Sequence, residues 1–570
     1  MSMPPSNEFG PWNPGIQSQV PIELLHLATI FRSENVFTTM AAAAELKGLT
    51  GFGLSELVVF RPQRLALHEL LVRVTADFAV PDGTKIEDLG LNFREIARLL
   101  LLQYLAPHMD SIVGVYDRVR HDAKSTIDAA LLRMGRGWGP EHIAEFERLA
   151  VSADDSIEAA AYKALARTMC ALFATQGHAW GTKELIASMA TNLACNDAGS
   201  DCIGRNIGPL LQNAAREQGY KLLPRQEHPV VINTKGPSAS GKSTLRPLLK
   251  KLAGDIGVQW SDFALISPDI WRKQLLDYAS LGAAYKYAGA FTSDELQIVD
   301  QKLDRYMANK HQRGEMSHLL IDRFRFDSFA ADSVEAGSNL LTRFGQSVYL
   351  FFMITPPQML VERAWKRGLE VGRYKAVDDT LAHAVEAYSG IPDVFFTWVR
   401  RSDKRIRFEF LDNTVLLGER PRTVAFGDNE TFNVLDVKAT LDIERYARID
   451  VEAAAAESLY SDRALLSPEK NMDFLRRCVE TFRRVNFADQ ASGRVYLRIE
   501  RGTPVLQDAA AFDMAARKPD TLAAIRAVAP DALNGKVPDA RQVQYLRAQD
   551  GAGPLPSLGQ WGQQPESRLV

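Results

Sequence analysis

The chain has 570 residues, which is enough for about three domains of ordinary size. It is 46% hydrophobic and 24% charged, as globular proteins are, and its net charge of −3 argues against a strongly basic nucleic-acid-binding domain. Four cysteines are too few for a disulfide framework, and neither a signal peptide nor an apolar run long enough to span a membrane is visible. We therefore expect a cytoplasmic protein.

The first part of the chain has the periodicity of helices. Apolar residues recur mostly at intervals of three and four in segments 61–79, 93–105 and 157–173. We predict a flexible N-terminus over 1–20, followed by a helical accessory or regulatory domain over 21–225.

From residue 226 the pattern changes to short apolar runs that alternate with helical stretches. The runs lie at 230–234, 263–266, 319–322, 347–354 and 406–411. Such alternation indicates βαβ units on a parallel sheet. We predict an α/β domain of the P-loop kinase type, with a parallel sheet flanked by helices, over 226–415.

The remaining residues have weaker patterns. Segment 466–487 has the period of an amphipathic helix, and 494–500 resembles a strand. We predict a small α+β accessory region over 416–550. The last twenty residues, 551–570, are rich in Gly, Pro, Gln and Ser, which predicts a disordered tail.

One motif has a specific chemical meaning. The run Gly236-Pro237-Ser238-Ala239-Ser240-Gly241-Lys242-Ser243 fits the phosphate-binding pattern GxxxxGK[ST], and it lies between a predicted strand and a helix that begins near Thr244. Glycines allow backbone N–H groups to surround phosphates, and a helix N-terminus adds positive potential. We predict that residues 236–244 bind ATP, that Lys242 bridges the β- and γ-phosphates, and that Ser243 binds Mg²⁺.

Two carboxylates follow the next strands. Asp269, in the run Ser-Pro-Asp after strand 263–266, is placed to accept a proton from an incoming hydroxyl, but the same run is also a good helix start. Asp322 ends an apolar strand, as an acidic residue does in a Walker B strand, and is predicted to bind Mg²⁺ or to contact the acceptor.

Arginines follow strand 347–354. Arg363 and Arg367 are four residues apart, so one helical face presents both, and Arg373 lies just after Gly368 and Gly372, where a lid is plausible. Arginines stabilise the charge that spreads over a transferring phosphoryl group. A solvated basic helix face is the alternative interpretation.

The order of these parts resembles the zeta toxin family of P-loop kinases. The resemblance covers 226–415 and includes the Ile-x-x-Asp-x-aromatic-basic pattern that begins at Ile266 and the strand that ends at Asp412-Asn413. It implies ATP-dependent phosphorylation of a sugar hydroxyl of UDP-N-acetylglucosamine or a related nucleotide-containing metabolite. It also implies that Asp269 is the general base, that Arg363 and Arg373 bind the γ-phosphate, and that Asp322 orients the acceptor.

The sequence departs from the family around the acceptor. Asp322 stands where the family usually has Glu, and the following Arg-Phe-Arg-Phe replaces a segment rich in Gly and Thr. Within this run Arg325 is a candidate substrate-binding residue. The type of reaction is therefore better supported than the acceptor.

The resemblance also suggests a partner. Toxins of this family are inhibited by a small helical antitoxin, so segment 21–225 is interpreted either as a fused inhibitory domain or as a structural, substrate-delimiting one. Two other functions remain open: a nucleic-acid or nucleoside kinase on the same fold, and an ATP-binding regulatory switch without an acceptor.

Overall fold

The structure is a computed structural model that describes residues 9–562, except 86, 136, 155, 324–339, 417, 539, 541–542 and 547–556. The chain divides into two compact units. The helical unit comprises Val20–Leu222 and Pro268–Tyr306, and the sheet unit comprises the described parts of Met1–Gln19, Leu223–Ser267 and Met307–Val570. Each unit is therefore built from separated segments of the chain.

The α-helices are numbered in chain order. They are α1 Met40–Thr50, α2 Leu54–Leu57, α3 Pro62–Asp77, α4 Asp88–Leu99, α5 Met109–Arg133, α6 Pro140–Ser152, α7 Ser156–Gln176, α8 Lys183–Ala194, α9 Ser200–Gln218, α10 Arg246–Asp255, α11 Arg272–Leu275, α12 Ala288–Phe291, α13 Ser293–Gln312, α14 Pro357–Val371, α15 Val377–Val399, α16 Val437–Tyr446, α17 Asp473–Thr481, α18 Ala509–Ala516, α19 Pro519–Val528 and α20 Pro530–Leu533. None of the described helices is both long enough and apolar enough to cross a lipid bilayer.

The strands of the described residues all belong to one sheet. They are β1 Val230–Lys235, β2 Phe263–Ile266, β3 His318–Ile321, β4 Ser347–Ile354, β5 Arg405–Asp412, β6 Arg422–Asp428, β7 Thr431–Val434, β8 Arg484–Ala488, β9 Val495–Glu500 and β10 Thr503–Leu506. β2 and β4 have the predicted bounds, and the other predicted strands of 226–415 differ by one or two residues.

The order of the strands in the sheet is β10-β9-β8-β7-β6-β5-β4-β1-β3-β2. β2, β3, β1, β4 and β5 are mutually parallel, as predicted for 226–415. After β1 the chain continues to β2, on the side of the sheet where β3 and β2 lie. After β4 it continues to β5, which lies in the opposite direction along the sheet. Ligands of open α/β sheets bind at such a switch point, beyond the carboxyl ends of the strands.

The strands of 416–550 extend this same sheet, which the sequence did not indicate. β6 pairs with β5 in antiparallel orientation, and β7 to β10 continue outward from it. An aromatic core crosses the predicted boundary at residue 415. Phe395 of α15 lies 4.8 Å from Phe408 of β5, but also 5.6 Å from Phe474 of α17 and 5.9 Å from Phe482, measured between ring centroids.

One prediction for the end of the chain was wrong. The helix predicted over 466–487 is the shorter α17, followed by β8. Phe482 has extended backbone angles, and the β-branched and aromatic side chains of β8 are buried beside β7. In the predicted disordered tail 551–570, the described residues 557–562 are ordered against the sheet, where Leu558 and Trp561 are buried.

The core of the helical unit contains more charge than its sequence pattern suggested. α3 lies within the helical segment predicted over 61–79, and it is buried from Leu65 to Ala76, including His68, Glu69 and Arg73. Charged side chains at buried positions must be paired, because burial of an isolated charge is costly. Arg73 pairs with Glu69 on the same helix, Glu69 also accepts from the hydroxyl of Ser200 on α9 at 2.6 Å, and His68 contacts Glu295 of α13 at 2.7 Å.

Candidate nucleotide-binding site

The loop 236–243 follows β1 at the switch point and requires its glycines. Gly236 and Gly241 have φ angles of +154° and +93°. A Cβ atom on Gly241 would lie 2.3 Å from Nδ2 of Asn413, and one on Gly236 would lie 2.8 Å from Cβ of Met353. Ala239 also has a positive φ, +64°, which is an unfavourable conformation for alanine. The backbone of the loop is thus strongly curved, with φ angles that residues other than glycine adopt only at an energetic cost.

The helix after the loop begins differently from the prediction. Lys242–Leu245 form a turn of 3-10 helix, and α10 begins only at Arg246. Pro247 lies in the first turn of α10, where proline is tolerated because the N–H that it lacks has no intrahelical acceptor there.

Residues from two neighbouring strand ends hold the loop in place. Asn413, just after β5, donates from Nδ2 to the carbonyl oxygen of Ser240 at 2.8 Å. Thr355, just after β4, contacts the same carbonyl through Oγ1 at 3.4 Å. The hydroxyl of Tyr388 on α15 accepts from the N–H of Thr355 and donates to its carbonyl, at 2.8 and 2.7 Å. The sequence analysis named Asn413 only as a strand end and missed Thr355 and Tyr388, because a lone Thr or Tyr carries no motif.

Lys242 lies over the start of the loop. Its Nζ donates to the carbonyl oxygens of Gly236 and Pro237, at 2.9 and 3.0 Å. These contacts keep the ammonium group within the curve of the loop. A cation in that position is suited to a polyphosphate chain that enters the loop.

Ser243 and Asp322, the two residues proposed from the sequence as Mg²⁺ ligands, lie next to each other. Oγ of Ser243 donates to Oδ2 of Asp322 at 3.2 Å, and the N–H of Asp322 donates to the carbonyl of Ile266 at the end of β2, at 2.9 Å. The pair presents hard oxygen ligands beside the loop. Mg²⁺ typically takes only one or two protein ligands of this kind and completes its octahedron with water and phosphate oxygens, so these residues fit that ion.

Two buried basic residues at the carboxyl ends of β1 and β3 were not predicted. Lys235 is the last residue of β1, and Arg323 follows Asp322; both are almost completely buried. Nζ of Lys235 lies 3.4 Å from the carbonyl oxygen of Arg323. Their positive charge at the carboxyl end of the sheet favours an anionic ligand. A lysine directly before the first glycine of the loop was the available sequence signal.

The predicted arginines occupy different surroundings. Arg363 of α14 is half-buried and donates to the carbonyl oxygens of Asn413 and Val415, at 2.7 and 3.2 Å, so it supports the chain after β5. Arg373 is exposed and follows Gly372, which ends α14 with a φ of +72°. A γ-phosphate role for either arginine remains a prediction. Arg325 lies outside the described residues.

Asp269 belongs to the helical unit. It lies in the 3-10 turn Pro268–Trp271, three residues after the end of β2 along the chain, and its carboxylate accepts from Nε of Arg272 at 2.9 Å. The side chain of Asp269 is 46% exposed, so it is accessible to a reactant. Lys242, Ser243 and Asp322 are therefore gathered in the sheet unit, and the predicted base is carried by the other unit.

Comparisons with known proteins add little to this geometry. No protein-family model matches the chain, and no curated protein matches it. One solved chain that is similar comes from the structural characterization of the PezAT chromosomal toxin–antitoxin system of the human pathogen Streptococcus pneumoniae. It is 16% identical, the match covers 36% of this chain and 74% of that chain, and the TM-score is 0.24. A TM-score this low does not establish a shared fold.

Proposed function

We propose that the protein is an ATP-dependent phosphotransferase of the zeta toxin type. It transfers the γ-phosphoryl group of ATP to a hydroxyl of a nucleotide-sugar or a related nucleotide-containing metabolite. The observation that carries the proposal is the GxxxxGKS loop at the carboxyl end of a central parallel strand. The ammonium group of Lys242 contacts the carbonyl oxygen of Gly236 in this loop, and Ser243 contacts Asp322.

Binding of the nucleotide rests on the loop. The backbone N–H groups of 238–244 and the ammonium of Lys242 would surround the phosphates, and Lys235 and Arg323 add positive charge. Ser243 and Asp322 would hold Mg²⁺ directly or through water. When bound, the ion neutralises charge on the phosphates.

The transfer step requires a base for the acceptor hydroxyl. Asp269 would take the proton of the acceptor hydroxyl while the oxygen of that hydroxyl forms a bond to the γ-phosphorus. The bond between the γ-phosphorus and the bridging oxygen breaks, and ADP leaves with that electron pair. The exposed carboxylate of Asp269 and its position just after β2 support this assignment.

The acceptor and the inhibitory partner are finer parts of the proposal. A UDP-sugar acceptor and an antitoxin-like partner rest on the resemblance of 226–415 to the zeta toxin family. The absence of a strongly basic charge balance supports a small-molecule acceptor over a nucleic acid.

The test is a transfer assay with purified full-length protein. The protein is incubated with Mg-ATP and a panel of UDP-sugars, NAD and nucleosides, and mass spectrometry detects the mass of one added phosphoryl group. Lys242→Ala should abolish the product, whereas Asp269→Asn should slow its formation by roughly 10²- to 10⁴-fold and should still bind ATP. Lys251→Ala, an exposed lysine on α10, is the control and should retain activity. ATP hydrolysis without any phosphorylated acceptor, equally fast in Asp269→Asn, would contradict the proposal and favour a switch protein.

A further inference from the structure

The candidate base Asp269 lies in a segment that folds with the N-terminal helices. Residues 268–306 join Val20–Leu222 in one compact unit, although the parallel strands before and after this segment belong to the sheet unit. The segment contains the turn that carries Asp269, the short helices α11 and α12 and the first part of α13. The contacts that fix residues 268–306 on the N-terminal helices therefore also fix the position of Asp269.

Arg272 connects Asp269 to the rest of the segment. Its Nε donates to Oδ1 of Asp269, and its terminal nitrogen donates to the carbonyl of Gly289 at 2.6 Å and to Oγ1 of Thr292 at 2.8 Å. The side chain of Arg272 is only 18% exposed, and Thr292 is fully buried. Because the guanidinium is planar and its terminal nitrogen is held by two acceptors, Nε also points in a fixed direction. The carboxylate of Asp269 that is bound to Nε is therefore oriented as well.

The turn around Asp269 is also fixed by α3 and α4. Trp271 is completely buried, and its indole N–H donates to Oγ1 of Thr75 at 3.1 Å. Gln274 donates to the carbonyl of Arg94 at 3.1 Å. Residues on both sides of Arg272 are thus bonded to helices more than a hundred residues away along the chain.

A buried ion pair anchors the other end of the segment. The carboxylate of Glu295 on α13 is fully buried and accepts from Arg64 at 2.6 Å and from His68 at 2.7 Å. The same guanidinium of Arg64 donates to the carbonyl of Leu275 in α11, at 2.7 Å. Arg64 therefore ties two parts of the segment to α3.

We propose that Arg272 is a positioning residue for Asp269, and that the N-terminal helices are the scaffold that holds this base rather than a removable inhibitor. The inference rests on the proposed role of Asp269 in phosphoryl transfer. Loss of Arg272 frees the carboxylate to rotate away from the acceptor hydroxyl, while the nucleotide loop, built from other residues, keeps its affinity for ATP.

The test uses full-length Arg272→Gln and Arg272→Lys. We expect kcat to fall about 10- to 100-fold in Arg272→Gln, because small misplacements of a reacting group cost about that much, with ATP affinity changed less than about twofold. Arg272→Lys should recover part of the rate, since one ammonium group cannot reproduce the fork of contacts. Arg167→Gln, which removes an exposed arginine that pairs with Glu56 in the same unit, is the matched control and should leave kcat unchanged.

A double variant separates positioning from general destabilisation. If Arg272 acts through Asp269, adding Arg272→Gln to Asp269→Asn causes no further loss of the residual rate. A further loss of the size seen in the wild-type background, or an unchanged kcat in folded Arg272→Gln, would overturn the inference.

Amide hydrogen exchange gives a readout that does not depend on activity. Exchange over 268–276 should be faster in Arg272→Gln than in the wild type and unchanged in Arg167→Gln. If the wild-type protein transfers no phosphate but exchange over 268–276 is still faster in Arg272→Gln, the proposed function is wrong, and the inference that the helices hold Asp269 in place stands. If exchange over 268–276 is the same in Arg272→Gln and in the wild type, the inference that Arg272 holds this segment in place is wrong.

Discussion

At the scale of single residues, Gly241 is a position where the loop leaves no room for a side chain. Its φ of +93° and the 2.3 Å approach to Nδ2 of Asn413 mean that a methyl group would strain the backbone and displace the side chain that holds the loop. We expect Gly241→Ala to weaken ATP binding by roughly 10- to 100-fold, which corresponds to about 1–3 kcal/mol of strain. Isothermal titration calorimetry measures this directly.

The control for this prediction is Gly254→Ala in α10. A Cβ atom there meets nothing within 4 Å, and its backbone is helical. It should leave ATP affinity unchanged and should stabilise the helix slightly, because alanine has the higher helix propensity. Equal ATP affinities of the two variants would contradict our description of the loop.

His68 is a neutral histidine between a cation and a carboxylate. Nε2 lies 2.7 Å from Glu295 and Nδ1 lies 3.2 Å from Nζ of Lys302. An ionised carboxylate only accepts and an ammonium only donates, so Nε2 carries the hydrogen and Nδ1 accepts. Burial, and then the charge of Lys302, lower the pKa of His68 to about 4, although Glu295 opposes the shift.

This shift predicts acid sensitivity. Below the usual histidine pKa of 6.5 the unfolded chain binds a proton at His68, but the folded protein does not until about pH 4. The free energy of unfolding should therefore fall as the pH drops through that interval, by on the order of 3 kcal/mol from this group. Urea unfolding followed at several pH values measures it.

The matched variant is His68→Gln, whose side-chain amide can still donate toward Glu295 but does not titrate. It should be less stable near neutral pH, because the contact with Lys302 is altered, and it should lose less stability on acidification than the wild type. Identical pH dependence in the two proteins would show that His68 is not the responsible group.

At the scale of elements, segment 557–562 is fixed by a buried carboxylate of β5. Glu409 accepts from the N–H groups of Leu558 and Gly559, at 2.8 and 3.0 Å, and from hydroxyls of Ser557 and Thr423. The ring of Trp561 packs 5.0 Å from that of Phe426 on β6. A carboxylate is well suited here because each of these partners donates a hydrogen bond.

Replacement of Glu409 by Gln puts an NH₂ group against these donors. We expect Glu409→Gln to lower the free energy of unfolding by about 1.5–3 kcal/mol, the usual range for hydrogen bonds to a charged group, and to speed proteolysis within the tail. Glu430→Gln, which removes a 73% exposed carboxylate 3.8 Å from Arg483, should have no measurable effect. Urea denaturation and timed digestion compare the two, and equal stabilities would contradict the role given to Glu409.

The elements that sequence patterns predicted well are the buried parallel strands. β2 and β4 are continuous apolar runs, and such runs between turn signals have few alternative structures. Composition could not indicate the ordered segment 557–562, because Gly, Pro and Gln dominate 551–570, whereas the buried Leu558 and Trp561 are single residues within it. The loop glycines, Lys242, Ser243 and Asp322 could be chosen as candidates from the sequence because phosphate-loop chemistry requires fixed spacing or strand ends.

At the scale of the whole molecule, the two units interleave along the chain. The apolar side chains of 268–306, among them Leu276, Leu281 and Phe291, pack with Val20, Leu24 and Leu27. No local pattern reveals such pairing, because contacts such as that between His68 and Glu295 join residues more than two hundred positions apart. The sequence therefore could not show which helices share a core.

This organisation predicts the result of deleting residues 20–222. Trp271, Leu276 and Phe291, all buried in the intact protein, would lose partners such as Thr75 and Leu24, so we expect an aggregated or partly unfolded protein without transferase activity. Size-exclusion chromatography and far-UV circular dichroism measure this. A soluble, folded and more active product would instead identify the N-terminal helices as an inhibitory domain.

The central claim, phosphoryl transfer to an acceptor hydroxyl, is tested most directly by following the γ-phosphate itself. Full-length protein is incubated with γ-labelled Mg-ATP and a small-molecule cell extract, and the label is separated into inorganic phosphate and organic products. The account predicts that label enters an organic product and that Asp269→Asn slows this transfer by roughly 10²- to 10⁴-fold while still binding ATP. Label that appears only as inorganic phosphate, at the same rate in the wild type and in Asp269→Asn, would contradict it.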